Sequence, residues 1–213
     1  MALKPGLYAI TDPELLPGEQ VIDGVAAALR GGAVLIQYRD KVNPPSDRRR
    51  LATRLLALCR RHRVPLVIND DLELALRIGA DGVHLGLEDG NLAAARRRLG
   101  PDRIVGATCH GSLRLAQGAA EVPCSYLAFG RFFASSTKAK APPASPNVLS
   151  AGRRYGLPVT AIGGITRDNM APIVAAGADL IAMVHGLFAA DDIEQRAREL
   201  NEQFHRLRKE FHP

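Results

Sequence analysis

Two kinds of apolar pattern alternate along the chain. Short continuous runs such as Leu7-Tyr8-Ala9-Ile10, Leu66-Val67-Ile68 and Leu180-Ile181-Ala182-Met183 are followed by stretches whose apolar residues share one helical face, as Val21, Ile22, Val25, Ala28 and Leu29 do. Unbroken apolar runs are expected of parallel strands buried on both faces, and the 3.6-residue period belongs to amphipathic helices. Strands are predicted at 7–11, 33–38, 64–68, 83–85, 103–107, 125–129, 159–162 and 180–184. Helices are predicted at 18–31, 46–61 with Ser46 as N-cap, 72–78, 91–99, 112–121, 147–155, 168–176 and 190–208. Eight strands alternating with eight helices predict an α/β fold, a single-domain (β/α)8 TIM barrel over 1–213; the alternative, a doubly wound open sheet, suits such even spacing less well. The triplets Gly32-Ala33-Val34, Gly79-Ala80-Asp81 and Gly177-Ala178-Asp179 each end a helix and start a strand, which reads as shared turn geometry.

Composition narrows the class. With 213 residues, 46% hydrophobic and 23% charged, the chain is ordinary for a soluble globular protein. It has no apolar run long enough to span a membrane and no leader-like N-terminus, and three cysteines without a CxxC pair point to a reducing, cytoplasmic setting. The net charge of +6 comes from arginine clusters inside predicted helices, with 5% aromatic residues and no Trp. That reads as a solvated outer face, with no nucleic-acid or membrane partner; it also suits a small polyanionic substrate. Oligomeric state stays open, a homo-oligomer included.

A barrel of this kind carries its chemistry at the C-terminal ends of its strands. Gln37, Arg39 and Lys41 share one strand parity and can point together into the mouth. Asn69 and Asp70 follow the third strand and Asp89 the fourth; two rim acids suit a divalent cation, although Asp is also a favoured helix cap. Thr108 and His110 end the fifth strand, and Ser135, Ser136, Thr137 and Lys138 lie in a long loop, 131–145, after the sixth. Gly163-Gly164 after the seventh strand fits a phosphate cradle, and His185-Gly186 follow the eighth. His84, inside a strand, reads as a satisfied core histidine. No nucleophile with an oriented base is recognisable. These positions describe a magnesium-dependent barrel that handles a pyrophosphate at one pole and a monophosphate at the other.

The chain resembles the thiamine phosphate synthase family over nearly its whole length. The likeness rests on Tyr8-Ala9-Ile10-Thr11-Asp12, Gln37-Tyr38-Arg39-Asp40-Lys41, Ile68-Asn69-Asp70, Gly82-Val83-His84-Leu85-Gly86 with Asp89, Thr137-Lys138, and Ile162-Gly163-Gly164-Ile165-Thr166 with Asn169. The resemblance implies the joining of hydroxymethylpyrimidine pyrophosphate to a thiazole phosphate, by loss of pyrophosphate and attack of the thiazole nitrogen. It also implies residue roles. Gln37, Tyr38, Arg39, Asp40, Lys41, Asn69, Thr108 and Lys138 would hold the pyrimidine pyrophosphate, with Arg39 and Lys138 catalytic. Asp70 and Asp89 would bind Mg2+. Ser135, Ser136, Thr137, Gly164, Val184 and His185 would hold the thiazole phosphate. Leu87 stands where the family commonly has Gln, and His185 where it commonly has Ser. A thiazole tautomerase sharing the fold is the rival reading, and His110 would matter more under it.

Overall fold

In the computed structural model, which describes residues 3–86, 91–134 and 142–212, each strand pairs in parallel with the next. They are β1 (Gly6–Ile10), β2 (Leu35–Tyr38), β3 (Leu66–Asn69), β4 (Gly82–Leu85), β5 (Ile104–His110), β6 (Tyr126–Phe129), β7 (Val159–Ile162) and β8 (Leu180–Met183). β8 returns to pair with β1, in the register Leu7↔Ile181, so the sheet closes into a barrel. Alternation along each strand then sorts side chains into two layers. Leu7 and Ala9 pack outward against the helices, whereas Tyr8 and Ile10 join Leu35, Val67, Ile104, Tyr126 and Leu180 inside. Both faces are dry, which is why the strands read as continuous apolar runs.

The helices are α1 (Gln20–Arg30), α2 (Pro45–His62), α3 (Leu72–Ile78), α4 (Leu92–Leu99), α5 (Leu113–Glu121), α6 (Asn147–Gly152), α7 (Ala171–Ala175), α8 (His185–Phe188) and α9 (Ile193–Phe211). Several boundaries differ from the sequence pattern. α2 begins at Pro45 rather than after Ser46, because proline suits a first-turn position that needs no N–H. The stretch expected as one helix over 147–155 is α6 followed by a short 3-10 turn, Arg153–Tyr155. α8 has four residues, too few to display a period, and has no counterpart in the prediction. β5 runs past its predicted end to His110, with its register to β6 shifting between Thr108 and His110. No helix among the described residues is long and apolar enough to cross a membrane.

The triplet echo has a physical content at the base of the barrel. In four βα units the residue that enters an even-numbered strand donates its N–H to the carbonyl at the start of the strand before it: Val34 to Leu7, Asp81 to Leu66, Ser125 to Val105 and Asp179 to Val159. In three of them its side chain returns the bond. Asp81 Oδ2 accepts from Leu66 N (2.9 Å), Ser125 Oγ from Val105 N (3.1 Å) and Asp179 Oδ2 from Val159 N (3.0 Å). Each closes a strand-entry N–H in a buried position, where an unpaired donor is costly. Asp179 also receives Arg208 (3.1 Å) and Arg153 (3.4 Å) on Oδ1.

Asp179→Ala strands the buried Val159 N–H and is expected to lower unfolding free energy by about 1–3 kcal/mol. Asp179→Asn keeps an acceptor there and should fall between the two in urea titration; an alanine variant as stable as the parent would contradict this account.

Candidate functional site

At the C-terminal mouth lies a cavity of about 350 Å³ to which all eight strands or their following loops contribute. Strand alternation decides who enters it. Gln37, Arg39 and Lys41 all line it, as their shared parity predicts. Tyr38 and Asp40, expected at the same substrate, do not, because they have the opposite parity. Tyr38 packs in the layer between sheet and helices, and its hydroxyl donates to Asp40 Oδ2 at 2.8 Å. Asp40 in turn accepts from Val42 N (3.0 Å), Asn43 N (2.9 Å) and Asn43 Nδ2 (2.8 Å), so it builds the turn into α2. Burial alone would raise its carboxyl; the hydrogen bonds from Asn43, Tyr38 and Val42 outweigh that and hold it below the usual carboxylate range.

Asp70 and Asp71 divide two tasks between them. Asp71 caps α3, accepting from Leu74 N at 2.8 Å. Asp70 is thereby released from the capping role and faces the cavity, with a left-handed backbone at φ 63°. Its Oδ2 meets Lys41 Nζ at 2.8 Å and accepts from Asn69 Nδ2 at 2.6 Å. Arg39 pairs with Asp12 (3.5 Å), not with Asp70, and its backbone is held on both sides by the Thr11 hydroxyl (2.9 and 3.1 Å). His110, also at the mouth, is the other cavity-lining non-glycine residue with positive φ among the described residues (50°). Such backbone is costly for a side-chain-bearing residue and collects at functional sites.

Beneath the mouth runs a line of buried polar groups. Gln37 Nε2 donates to the Tyr8 hydroxyl, which is 2.7 Å from that of Tyr126. The Tyr126 hydroxyl is 2.8 Å from His84 Nδ1, and His84 Nε2 is 2.9 Å from Thr108 Oγ1. His84 is therefore a bonded core histidine, as expected, and also a wall of the cavity. Tyr126 and Thr160 were not singled out by the sequence, and Tyr8 entered only as part of a motif, with no role given to it. Tyr126 carried one signal: a tyrosine in an otherwise aliphatic inward row needs a buried partner for its hydroxyl. Thr160 lines the cavity with its hydroxyl buried and without a hydrogen-bond partner among the described residues.

On the opposite wall, Gly164, Val184 and His185 line the cavity as expected. The two glycines there have a further cause. A Cβ on Gly163 would fall 2.3 Å from Arg131 Cβ, and one on Gly164 would fall 2.2 Å from the Ala134 carbonyl oxygen. The loops after β6 and β7 thus lie backbone to backbone, and Phe133 N donates to Gly163 O at 3.0 Å. Asn169 fixes the turn from beyond, donating to Gly164 O (2.9 Å) and accepting from Thr166 N (2.8 Å). Arg131, also unforeseen, adds a cation to this wall. Asp89, Ser135, Ser136, Thr137 and Lys138 lie outside the described residues.

The donor set can be tested against a metal. Among the described residues no three His, Cys, Asp or Glu side chains gather. Asp70 offers one hard carboxylate, paired with Lys41; magnesium takes one or two carboxylates and completes its shell with phosphate and water, so this donor fits it.

The chain is similar to known proteins over most of its length. A family model described as thiamine monophosphate synthase matches residues 7–187. The chain is 56% identical over 206 residues to the thiamine-phosphate synthase of Marinobacter nauticus, covering 96% of this chain and 93% of that one. It is 49% identical over 203 residues to the thiamine-phosphate synthase of Alcanivorax borkumensis, covering 93% and 94%. Among solved structures, thiamine phosphate pyrophosphorylase from Pyrococcus furiosus superposes with a TM-score of 0.87 at 32% identity, covering 96% of this chain and 98% of that one.

The split between the two acids predicts opposite phenotypes. Asp71→Ala should cost about 1 kcal/mol of stability and leave turnover near normal. Asp70→Ala should leave the melting temperature nearly unchanged and lower turnover by about 10²-fold. Thermal melts and steady-state rates on both variants check the assignment, and exchanged phenotypes would overturn it.

Proposed function

The chain belongs to the thiamine monophosphate synthase family, transferases that make thiamine phosphate, and from that premise we propose how its own residues perform the reaction. The substrates in this reading are hydroxymethylpyrimidine pyrophosphate and a thiazole phosphate. The observation that carries it is the wall formed by Gln37, Arg39 and Lys41, which faces Asp70 across one rim of the cavity. An amide beside two cations suits a ring attached to a pyrophosphate.

In this reading Arg39 and Lys41 bind the pyrophosphate oxygens, and Asn69 and Thr108 add hydrogen bonds. Asp70 and Asp89 would hold Mg2+, which would supply charge compensation for the pyrophosphate. Departure of pyrophosphate leaves a pyrimidinylmethyl cation stabilised by the ring's amino group, and the thiazole nitrogen attacks its methylene carbon. No group of the protein is alkylated. Its task is to hold the leaving group's charge and to fix the two reacting atoms near each other, the effects that electrostatic preorganisation and proximity provide. Arg39 is braced for this by Asp12 and Thr11, so its charge need not be reorganised when the bond breaks. Lys138 is assigned to the same pyrophosphate.

Gly164, Val184 and His185 hold the phosphate of the thiazole substrate through backbone groups, with Ser135, Ser136 and Thr137 along its ring. We place the reaction in the reducing cytoplasm. All three cysteines are free and buried, and burial pushes their thiols up, Cys59 and Cys109 to about 12 and Cys124 to about 11. The thiazole tautomerase reading is not favoured: the two curated relatives and the family model all name the synthase.

Mixing the protein with both substrates, with and without Mg2+, should give thiamine phosphate only when the metal is present. Isomerised thiazole without condensation would overturn the reading. Arg39→Ala should lower kcat/KM by roughly 10²-fold. Magnesium titrated alone in a calorimeter should bind weakly, because Lys41 already compensates Asp70.

A further inference from the structure

An amide side chain is ambiguous: a half-turn exchanges its acceptor oxygen for its donor nitrogen with little change of shape. Gln37 can therefore recognise a ring only if something fixes which end faces the cavity. Building on the reading that Gln37 faces the pyrimidine, we propose that the buried line Tyr8–Tyr126–His84–Thr108 sets the Gln37 amide with its carbonyl oxygen toward the ring, making Tyr126 a positioning residue that selects a ring bearing an exocyclic amino group.

The line is built for this. Tyr126 is wholly buried beneath the cavity and does not line it. Its ring stacks on His84 (centroids 5.5 Å apart, 14° between planes) and meets Tyr8 edge-on (5.8 Å, 88°). The junction depends on a bare position in β5. Gly106 stands in register with His84 on one side and Tyr126 on the other. A Cβ there would fall 2.2 Å from Tyr126 Cζ and 2.6 Å from His84 Nδ1. A glycine inside a strand marks such a close approach.

The polarity of the line follows from proton counting. Burial pushes both phenols up, so each keeps its single proton. Tyr8 accepts from the Gln37 amide nitrogen and gives its own proton to Tyr126. With Tyr126 giving its proton to His84 Nδ1, His84 Nε2 is the ring nitrogen left to donate to Thr108 Oγ1. The Thr108 hydroxyl is then a donor toward the cavity. Along these bonds each hydroxyl has one proton to give, so the direction set at the Gln37 amide runs through to Thr108. The two ends are therefore coupled. An acceptor-only group such as a pyrophosphate oxygen at Thr108 selects the polarity in which Gln37 shows its carbonyl oxygen to a ring amino donor. A keto group in the amino position would meet that oxygen as a second acceptor.

The test uses Tyr126→Phe, which removes one oxygen from the line and keeps the ring. Binding of the pyrimidine pyrophosphate and of its keto counterpart is measured by calorimetry with no thiazole phosphate present. The parent should prefer the amino ring, and the variant should lose about tenfold of that preference, with KM for thiazole phosphate changed less than twofold. Thr108→Val, which cuts the far end without opening the core, should lower the preference as well, and Thr108→Ser should restore it. Gln37→Met separates the two layers of the argument. If Gln37→Met abolishes the preference while Tyr126→Phe and Thr108→Val keep it, the positioning proposal is wrong and Gln37 still reads the ring. If Gln37→Met also keeps it, the placement of the ring at Gln37 fails, and the proposal with it.

Discussion

Side-chain alternation in a closed parallel sheet is the constraint on which the rest of this molecule depends. Once β8 pairs with β1 there is an inside and an outside, and every strand residue is committed to one of them. Leu7 and Ala9 serve the helix layer because Tyr8 and Ile10 serve the lumen. The same rule continues past the strand ends. It carries Arg39 and Lys41 into the cavity and turns Tyr38 and Asp40 out of it. Asp40 is not idle there, since its four accepted hydrogen bonds shape the turn that launches α2.

This also explains what the sequence could reveal. The barrel was legible because its strands are two-sided and apolar and its helices are periodic. Gln37, Arg39 and Lys41 were legible through parity, and Asp70 through its place at a strand end. The five-residue motif from Gln37 to Lys41 was misleading as a block, since contiguous residues of a strand do not share a face. The meeting of Tyr126 and Gly106 was not legible, because it arises only where β4, β5 and β6 come into register, at long sequence separation. Gly163 and Gly164 could be read as a cradle but not as the partners of 131–134, a contact that exists only between loops. α8 was too short to have a period.

Stability and chemistry are kept at opposite ends of the barrel. At the base, Asp81, Ser125 and Asp179 each spend a side-chain oxygen on a strand-entry N–H. At the mouth, polar groups instead face an open volume. Asp70 and His110 hold left-handed backbone there, and the Thr160 hydroxyl is buried beside the cavity without a hydrogen-bond partner among the described residues. The base closes the ring and the helix layer packs it, so the mouth can bear unfavourable local geometry without opening the fold.

The adjacency of Asp70 and Asp71 reaches further than their separate roles. One peptide bond divides the carboxylate that anchors α3 from the one that faces the cavity. The junction between β3 and α3 thus has no slack: removing one residue would bring the capping side chain to the rim, and adding one would turn Asp70 away from Lys41. The length of that connection, and not its residue types alone, decides which carboxylate faces the cavity. Insertions there should be far less tolerable than in the surface connections elsewhere on the barrel.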